Sequence, residues 1–353
     1  MSTIGQQAQD DPARTAAGAR LRDLIVVGAS AGGVEALREL VHGLPEDLPA
    51  AMLVVTHMAP GGSGALARVL QRRCALSVAA AEDMEPVRYG RVYVARPDCH
   101  LLLRDGEVRL GRGPRENGYR PAVDPLFRSA ARWYDSRAIA VVLSGTLDDG
   151  AAGALAVSRR GGAVAVQDPS DAMYDGMPKA ALRAVSSAVV APIADMSATL
   201  TRLVTEAAPA LSPDGQDSDD TAMETEMADV AGAAMHIPRP PGEPSTVSCP
   251  DCHGVLNKID EPALRYRCQV GHAWSPESLE AAKDLEVEDA IWIAVRNLEE
   301  RTSLYHDLAR RARDAGRAVS AARYDDRYKE AQRAAEVIRD LLASGRLGLS
   351  DLN

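Results

Sequence analysis

An α/β fold built on a mostly parallel, doubly wound sheet is predicted by three features of this chain. Short apolar, β-branched runs recur between residues 24 and 166; segments with helical spacing separate them; and those segments are long enough to serve as right-handed crossovers. The composition agrees, since a single Phe among abundant Ala, Val and Leu suits close packing of helices on a sheet.

The strands are expected at 24–27, 52–55, 91–95, 138–143 and 163–166. Helices are expected near 33–42, 62–73, 123–134, 150–160 and 178–184, the first carrying Val34, Leu37, Leu40 and Val41 on one face. Asp105-Gly106, flanked by 100–104 and 107–110, is the signal of a two-residue hairpin, so an antiparallel ribbon is expected at a sheet edge. Residues 1–20 are polar and read as a disordered tail, and 21–204 read as one α/β domain. From 205 to 247 an acidic stretch (Asp214, Asp217, Asp219, Asp220, Glu224, Glu226, Asp229) gives way to Pro238, Pro240, Pro241 and Pro244. That composition predicts a linker crossed by few contacts. Residues 248–275 form a Cys/His knuckle, and 276–353 a helical hairpin that starts at Ser275-Pro276 and breaks at Gly316.

Bulk properties exclude several classes. A net charge of −10 with no Lys/Arg cluster argues against nucleic-acid binding. No apolar stretch has the length of a membrane span, and the N-terminal residues lack the apolar core of a signal peptide. Five cysteines, three of them in one short segment, are not a disulfide framework, so a cytoplasmic protein is expected.

Chemistry is expected where strands end, because open parallel sheets bind ligands outside the carboxyl ends of their strands. After the first strand, Gly28-Ala29-Ser30-Ala31-Gly32 fits G-x-S-x-G at a strand-to-helix corner. Three readings fit that run: a serine nucleophile, a phosphate or nucleotide cradle made by 28–33, and a tight turn alone. After the second strand stands His57, and after the 138–143 strand stands Ser144-Gly145-Thr146-Leu147-Asp148-Asp149-Gly150. A hydroxyl, an imidazole and a carboxylate on one rim suit nucleophilic catalysis, the imidazole taking the serine proton and the carboxylate fixing its tautomer. Against this, His57 taken alone is an ordinary loop residue, and Asp148-Asp149 alone is a helix cap.

These residues also carry a resemblance. Gly-Ala-Ser-Ala-Gly-Gly (28–33), Thr-His-Met (56–58), Tyr-Val-Ala-Arg-Pro-Asp-Cys-His-Leu (93–101), Val-Asp-Pro-Leu-Phe-Arg-Ser (123–129), Leu-Ser-Gly-Thr-Leu-Asp-Asp-Gly-Ala-Ala-Gly (143–153), Gln-Asp-Pro (167–169) and Gly-Met-Pro-Lys-Ala-Ala (176–181) occur in collinear order. Together they resemble the catalytic domain of CheB-type protein-glutamate methylesterases over about residues 22–204. The resemblance implies hydrolysis of glutamate γ-methyl esters on chemoreceptor helices with release of methanol, and deamidation of certain glutamines. It implies Ser30 as nucleophile, His57 as general base and Asp149 as orienting acid, with no cofactor for catalysis. It also implies the backbone N–H groups of Ala31 and Thr146 as oxyanion support, and a histidine, His100, near the substrate side of the rim.

The chain departs from the family pattern at Ala31, where Thr is common, at Thr146-Leu147, where Met-Gly is common, and at Arg96, where Pro often stands. The 20 residues ahead of the pattern are too few for the receiver domain that many relatives carry, so regulation by other means is expected. These departures keep a catalytically weak signalling adaptor as the rival reading.

Cys249-x2-Cys252, fifteen residues, then Cys268-x3-His272 supply four ligands in two pairs, a set that suits structural Zn²⁺. A redox pair at 249/252 and a metal-free knuckle are the alternatives, and His253 is a spare ligand. The expected partners are a methylated helical receptor and a signalling protein held by the C-terminal helices.

Overall fold

The computed structural model describes residues 20–209, 219–229, 240–260 and 263–343, in two compact units that divide after Ser278. The expected tail lies outside the described residues except for Arg20, as do Asp214, Asp217 and Pro238 of the expected linker.

The first unit begins with β1 (Leu24–Ala29), α1 (Gly33–His42), β2 (Ala51–Thr56), α2 (Leu66–Gln71), β3 (Ser77–Ala80) and β4 (Arg91–Val94). A ribbon of β5 (His100–Arg104) and β6 (Glu107–Gly111) follows, then α3 (Val123–Tyr134), β7 (Ala138–Val142), α4 (Ala151–Arg159) and β8 (Ala163–Gln167). Helix α5 (Gly176–Ala184), β9 (Val189–Ala191) and α6 (Ile193–Thr205) complete the α/β layer.

Seven strands form one parallel sheet in the order β3-β4-β2-β1-β7-β8-β9. All residues of β1, β2 and β7 are buried, as strands covered on both faces require. Alternation along β1 divides the core. Ile25 and Val27 face Leu37, Leu40, Leu70 and Leu200 of α1, α2 and α6, whereas Leu24 and Val26 face Leu126, Phe127, Val157 and Met177 of α3, α4 and α5. The winding is therefore double. Strand β1 leads through α1 toward β2, while its neighbour β7 leads through α4 toward β8 on the other side. Their carboxyl ends form the switch point, where such sheets leave a crevice.

Three expectations need correction. The β5–β6 ribbon is a separate two-stranded sheet, not an edge of the parallel one. Its apolar residues Leu101, Leu103 and Val108 bury in the α3 side of the core, and Ser129 of α3 accepts the Leu103 N–H at 3.1 Å. Strands β3 and β9 and helix α6 were not expected; both strands are edge strands of four and three residues, too short to show a periodic run.

The third correction concerns the linker, which contains a helix, α7 (Asp219–Ala228), and the start of a strand. Glu224, Thr225, Met227 and Ala228 are buried. Arg132 of α3 donates to the Ala222 carbonyl, and Gly113 donates to that of Ala228. Of its acidic residues, Glu224 is buried against Arg128, Arg265 and Arg267. An antiparallel sheet follows: β10 (Glu243–Ser248), β11 (Val255–Ile259), β12 (Arg265–Cys268) and β13 (Ala273–Trp274).

Helix α8 (Pro276–Asp314) begins at the end of the first unit and continues into the second, which also holds α9 (Ala318–Ala343). Within the second unit the two helices meet through Arg313–Asp325 at 2.7 Å, Arg339–Glu299 and the rings of His306 and Tyr328. Small buried residues (Ala309, Ala321, Ala331, Ala335) and Val295 line the contact faces, and Val287, Ile293 and Leu304 are exposed. Among the described residues no helix is long and apolar enough to cross a membrane.

Candidate active site

Ser30 follows β1 directly, and its backbone N–H donates to the Ser144 carbonyl beyond β7 at 2.9 Å. That bond holds two strand ends of the switch point together. Gly28 is required here by proximity: a Cβ would stand 2.2 Å from Val123 Cγ1 at the start of α3. The Ser144 hydroxyl donates to the Ala31 carbonyl at 2.8 Å and accepts the Tyr174 N–H at 3.0 Å, which fixes the Ala31–Gly32 peptide of the corner. Among the described residues no hydrogen bond uses the N–H of Ala31 or of Thr146.

The three strand-end residues come together. Ser30 Oγ lies 2.9 Å from His57 Nδ1, and His57 Nε2 lies 2.7 Å from Asp149 Oδ2. An ionised carboxylate only accepts, so the ring proton is on Nε2 and Nδ1 is free to accept from the serine hydroxyl. The Asp149 carboxylate takes three further donors. Val123 N–H meets Oδ2 at 2.7 Å, and Asp124 N–H and Asn117 Nδ2 meet Oδ1 at 3.2 and 3.0 Å. Two of these donors are the first amides of α3, where the helix dipole also favours negative charge.

Burial alone would raise the Asp149 carboxyl, but the hydrogen bond and charge of His57 and the α3 amides outweigh it and hold it below the usual carboxylate range. Its neighbour Asp124 moves the other way. Burial and the charge of Asp149 push it up, while its Oδ1 accepts the Gly153 N–H at 2.7 Å. The negative charge of the pair therefore resides on Asp149, against the imidazole.

The turn at 116–119 supplies two more parts of the site. Glu116 and Tyr119 exchange backbone hydrogen bonds around Asn117 (φ 52°) and Gly118 (φ 79°), the primed hairpin turn that Asn-Gly favours. This turn aims Asn117 at Asp149 and stacks Tyr119 on His57, with ring centroids 3.7 Å apart and planes within 5°. A cavity of about 290 Å³ opens beside His57, lined by Met58, Pro60, Arg115, Tyr119 and Arg120.

His100 is not on the substrate side of the rim. It is fully buried, its Nε2 donates to the Pro114 carbonyl at 2.9 Å, and its Nδ1 faces the Ala122 N–H at 3.4 Å. Burial depresses its basicity, so it braces the loop before α3 as a neutral ring.

The Cys/His module belongs to the same compact unit as the sheet, and it packs against the 116–119 turn. Asn117 N–H donates to the Ala273 carbonyl at 2.8 Å, and Ser275 N–H donates to Asn117 Oδ1 at 2.8 Å. Asp148 Oδ1 accepts the hydroxyls of Ser275 and Ser278 at 2.5 and 2.9 Å. Adjacent carboxylates thus face different structures, Asp149 toward His57 and Asp148 toward the start of α8. Below the turn, Glu116 takes a two-pronged contact from Arg128 Nη2 at 2.7 and 2.8 Å and a second from Arg267 of β12 at 3.2 Å. Glu224 of α7 meets Arg265 at 3.2 Å and Arg267 at 3.6 Å. Despite full burial, the charges of Arg128 and Arg267 bring Glu116 down to about 2. The expectation that few contacts cross the acidic stretch is thus corrected: buried ion pairs cross it.

The ligand atoms of Cys249, Cys252, Cys268 and His272 lie within 4.8 Å of one another. Two tight turns present them. His253 N–H returns to the Cys249 carbonyl and Gly271 N–H to the Cys268 carbonyl, with His253 and Gly271 at positive φ. The Cys252 and Cys268 sulfurs are 3.6 Å apart, close to the roughly 3.8 Å that tetrahedral Zn–S bonds of about 2.3 Å impose. The donor set fits such an ion.

The sequence analysis singles out neither Asn117, Tyr119 nor the first amides of α3, and it names Ser144 only within the motif after the 138–143 strand and Ser275 only as the start of the C-terminal helices. For Asn117 and Tyr119 the signal was present, as Asn-Gly between Glu116 and Tyr119.

Fold and site together define a doubly wound α/β protein with a hydroxyl, an imidazole and a carboxylate in line at its switch point. The profile described as CheB methylesterase matches residues 25–200. The catalytic domain of CheB methylesterase from Thermotoga maritima is 37% identical, with a TM-score of 0.50, over 52% of this chain and 98% of that one. The chain belongs to the CheB methylesterase family. Among curated relatives, protein-glutamate methylesterase/protein-glutamine glutaminase 5 of Myxococcus xanthus is 42% identical over 190 residues, 53% of this chain and 55% of its own length. A Burkholderia pseudomallei protein of the same description, numbered 1, is 43% identical over 178 residues, 49% of each chain. The chain spans about half the length of the curated relatives it matches.

Proposed function

We propose that this chain hydrolyses glutamate γ-methyl esters on chemoreceptor-type helical proteins. The observation that carries this reading is the continuous line from Ser30 Oγ through the His57 ring to Asp149, at 2.9 and 2.7 Å. Ser30 attacks the ester carbonyl while His57 Nδ1 takes its proton, and the charged Asp149 stabilises the imidazolium. The oxyanion is met by the Ala31 and Thr146 N–H groups. His57 then protonates the departing methoxide, so methanol leaves and an acyl-serine remains. Water attacks the acyl-serine with His57 again as base, which releases glutamate and restores the serine. Glutamine deamidation follows the same steps with ammonia as the leaving group. The cavity beside His57 has room for the ester side chain.

Zinc is assigned to Cys249, Cys252, Cys268 and His272. Four protein ligands leave no open position, so the ion is structural and takes part in no step. The reading places the protein in the cytoplasm, with the α8 and α9 helices forming a hairpin that holds a signalling partner. The test is methanol release from methylated receptor membranes by the full chain and by Ser30→Ala. Release by the wild type and its loss in the variant are expected; an equally active variant would refute the assignment of Ser30.

A further inference from the structure

The Cys/His module reaches the candidate catalytic carboxylate through one side chain, Asn117. Its amide nitrogen donates to Asp149 Oδ1 at 3.0 Å, and its amide oxygen accepts the Ser275 N–H at 2.8 Å. Its own backbone N–H is held by the Ala273 carbonyl. Ala273 directly follows His272, and Cys268 N–H donates to the His272 carbonyl. Two residues, Ala273 and Trp274, therefore separate the last metal ligand from the Ser275 N–H that sets the Asn117 rotamer.

We propose that Asn117 is a positioning residue for the Ser30–His57–Asp149 line, and that metal bound at Cys249, Cys252, Cys268 and His272 sets its position. The inference rests on the functional reading above for its kinetic readout only.

Four observations support it. First, Asn117 Oδ1 accepts from the module, so Nδ2 is the group left to face Asp149. A flip of the amide would oppose an oxygen to the carboxylate and a donor to the Ser275 N–H. Second, Asn117 and Asp149 are both almost fully buried, so water is not at hand to replace either partner. Third, the same turn carries Tyr119, whose ring lies flat on His57, so a shift of the turn moves two neighbours of the imidazole at once. Fourth, β12 and β13 hold the turn from below through Arg267–Glu116 and from the side through Ala273, and both strands abut metal ligands.

A β-sheet this small, whose interior contains thiols and an arginine, has little apolar burial to organise it. Metal binding and ordering of 268–275 are therefore linked. Loss of the ion releases the Ser275 N–H from Asn117, and the carboxylate loses one of its four donors and its fixed orientation. Errors of about 1 Å in such groups cost on the order of a hundredfold in rate.

The test uses the full chain. Asn117→Ala should keep one equivalent of zinc by elemental analysis and a native circular dichroism spectrum. Its KM should stay within about twofold, while kcat falls roughly tenfold to a hundredfold. Cys268→Ser, which lacks a ligand, should lose zinc and lower kcat similarly. In the double variant the two losses should not multiply, because both act through the same amide. A second readout does not depend on turnover: the downfield proton resonance of the His57 Nε2–H, identified by its absence in Asp149→Ala. It should move in Asn117→Ala and on removal of zinc by a chelator. Wild-type kcat in Asn117→Ala, or losses that multiply in the double variant, would overturn the proposal. If the wild type releases no methanol, the functional reading fails by itself. An unmoved His57 resonance in zinc-free, folded protein then overturns the positioning role, and a shifted one sustains it.

Discussion

In β1, β2 and β7 every residue is buried and nearly all are Val, Ile, Leu, Ala or Met, whereas the Cys/His module and its seam bury Arg267, Glu116, Glu224 and thiols. The sheet places Ser30, His57 and Asp149 through apolar burial and parallel register, which need no particular partner. The module places Asn117 and Tyr119 through directional contacts, each of which has one partner. A volume-conserving change in the sheet is therefore absorbed, while the loss of one charge at the seam leaves another uncompensated.

The sharpest way to break this comparison is at the rim the sheet builds. Ser30→Ala and His57→Ala should each lose about five to six orders of magnitude in kcat, and the double variant little more, because the residues act as one unit. Asp149→Asn should lose about four orders, since its amide favours the wrong imidazole tautomer. Single-turnover methyl-ester hydrolysis measures all four. Losses that multiply would mean that the short distances describe independent residues.

How far the sequence could be read follows the same division. Strands 24–27, 52–55, 138–143 and 163–166 were visible because burial on both faces demands unbroken apolar runs, and the rim residues were visible because they follow those runs. Helix α7 reads as linker in the sequence because an acidic, aromatic-poor segment carries no local sign that Arg128, Arg265 and Arg267 meet its Glu224. The resemblance alone implies a place for His100 at the rim. Its burial depends on Pro114 and Ala122, whose approach no local pattern encodes.

The seam offers the next largest effect. Glu116→Gln removes the charge facing Arg128 and Arg267 and should lower stability by about 3–5 kcal/mol. Leu53→Ala in the sheet, at about 2–5 kcal/mol, is the comparison. Urea midpoints for both variants decide it. A cost below about 1 kcal/mol for Glu116→Gln would place the seam charges in contact with water.

Acid should separate the regions further. Glu116 is held down to about 2, below the roughly 4.3 of a glutamate in an unfolded chain. The unfolded state thus binds its proton first. The stabilisation is complete above about 4.3 and disappears as pH falls toward 2. Thermal melts between pH 5 and 2 should show a falling midpoint in the wild type and a shallower fall in Glu116→Gln. Parallel curves would exclude Glu116 as a source of the acid sensitivity.

The smallest effect is expected at Asp148, one residue from the largest. Burial pushes its carboxyl up, the hydroxyls of Ser275 and Ser278 pull it down, and the charge of Asp149 pushes it up again, with a net rise. A raised value means that folding favours the neutral form, so its charge is a cost near neutral pH, the opposite sign to Glu116. Asp148→Asn removes that cost, and its amide oxygen still accepts both hydroxyls, which keeps Ser275 over Asn117. Stability at pH 7 should therefore change by less than about 1 kcal/mol, and kcat by less than about threefold, against the four orders expected for Asp149→Asn. Equal losses in the two variants would mean that both carboxylates serve the imidazole, and the reverse order would move the catalytic carboxylate from Asp149 to Asp148.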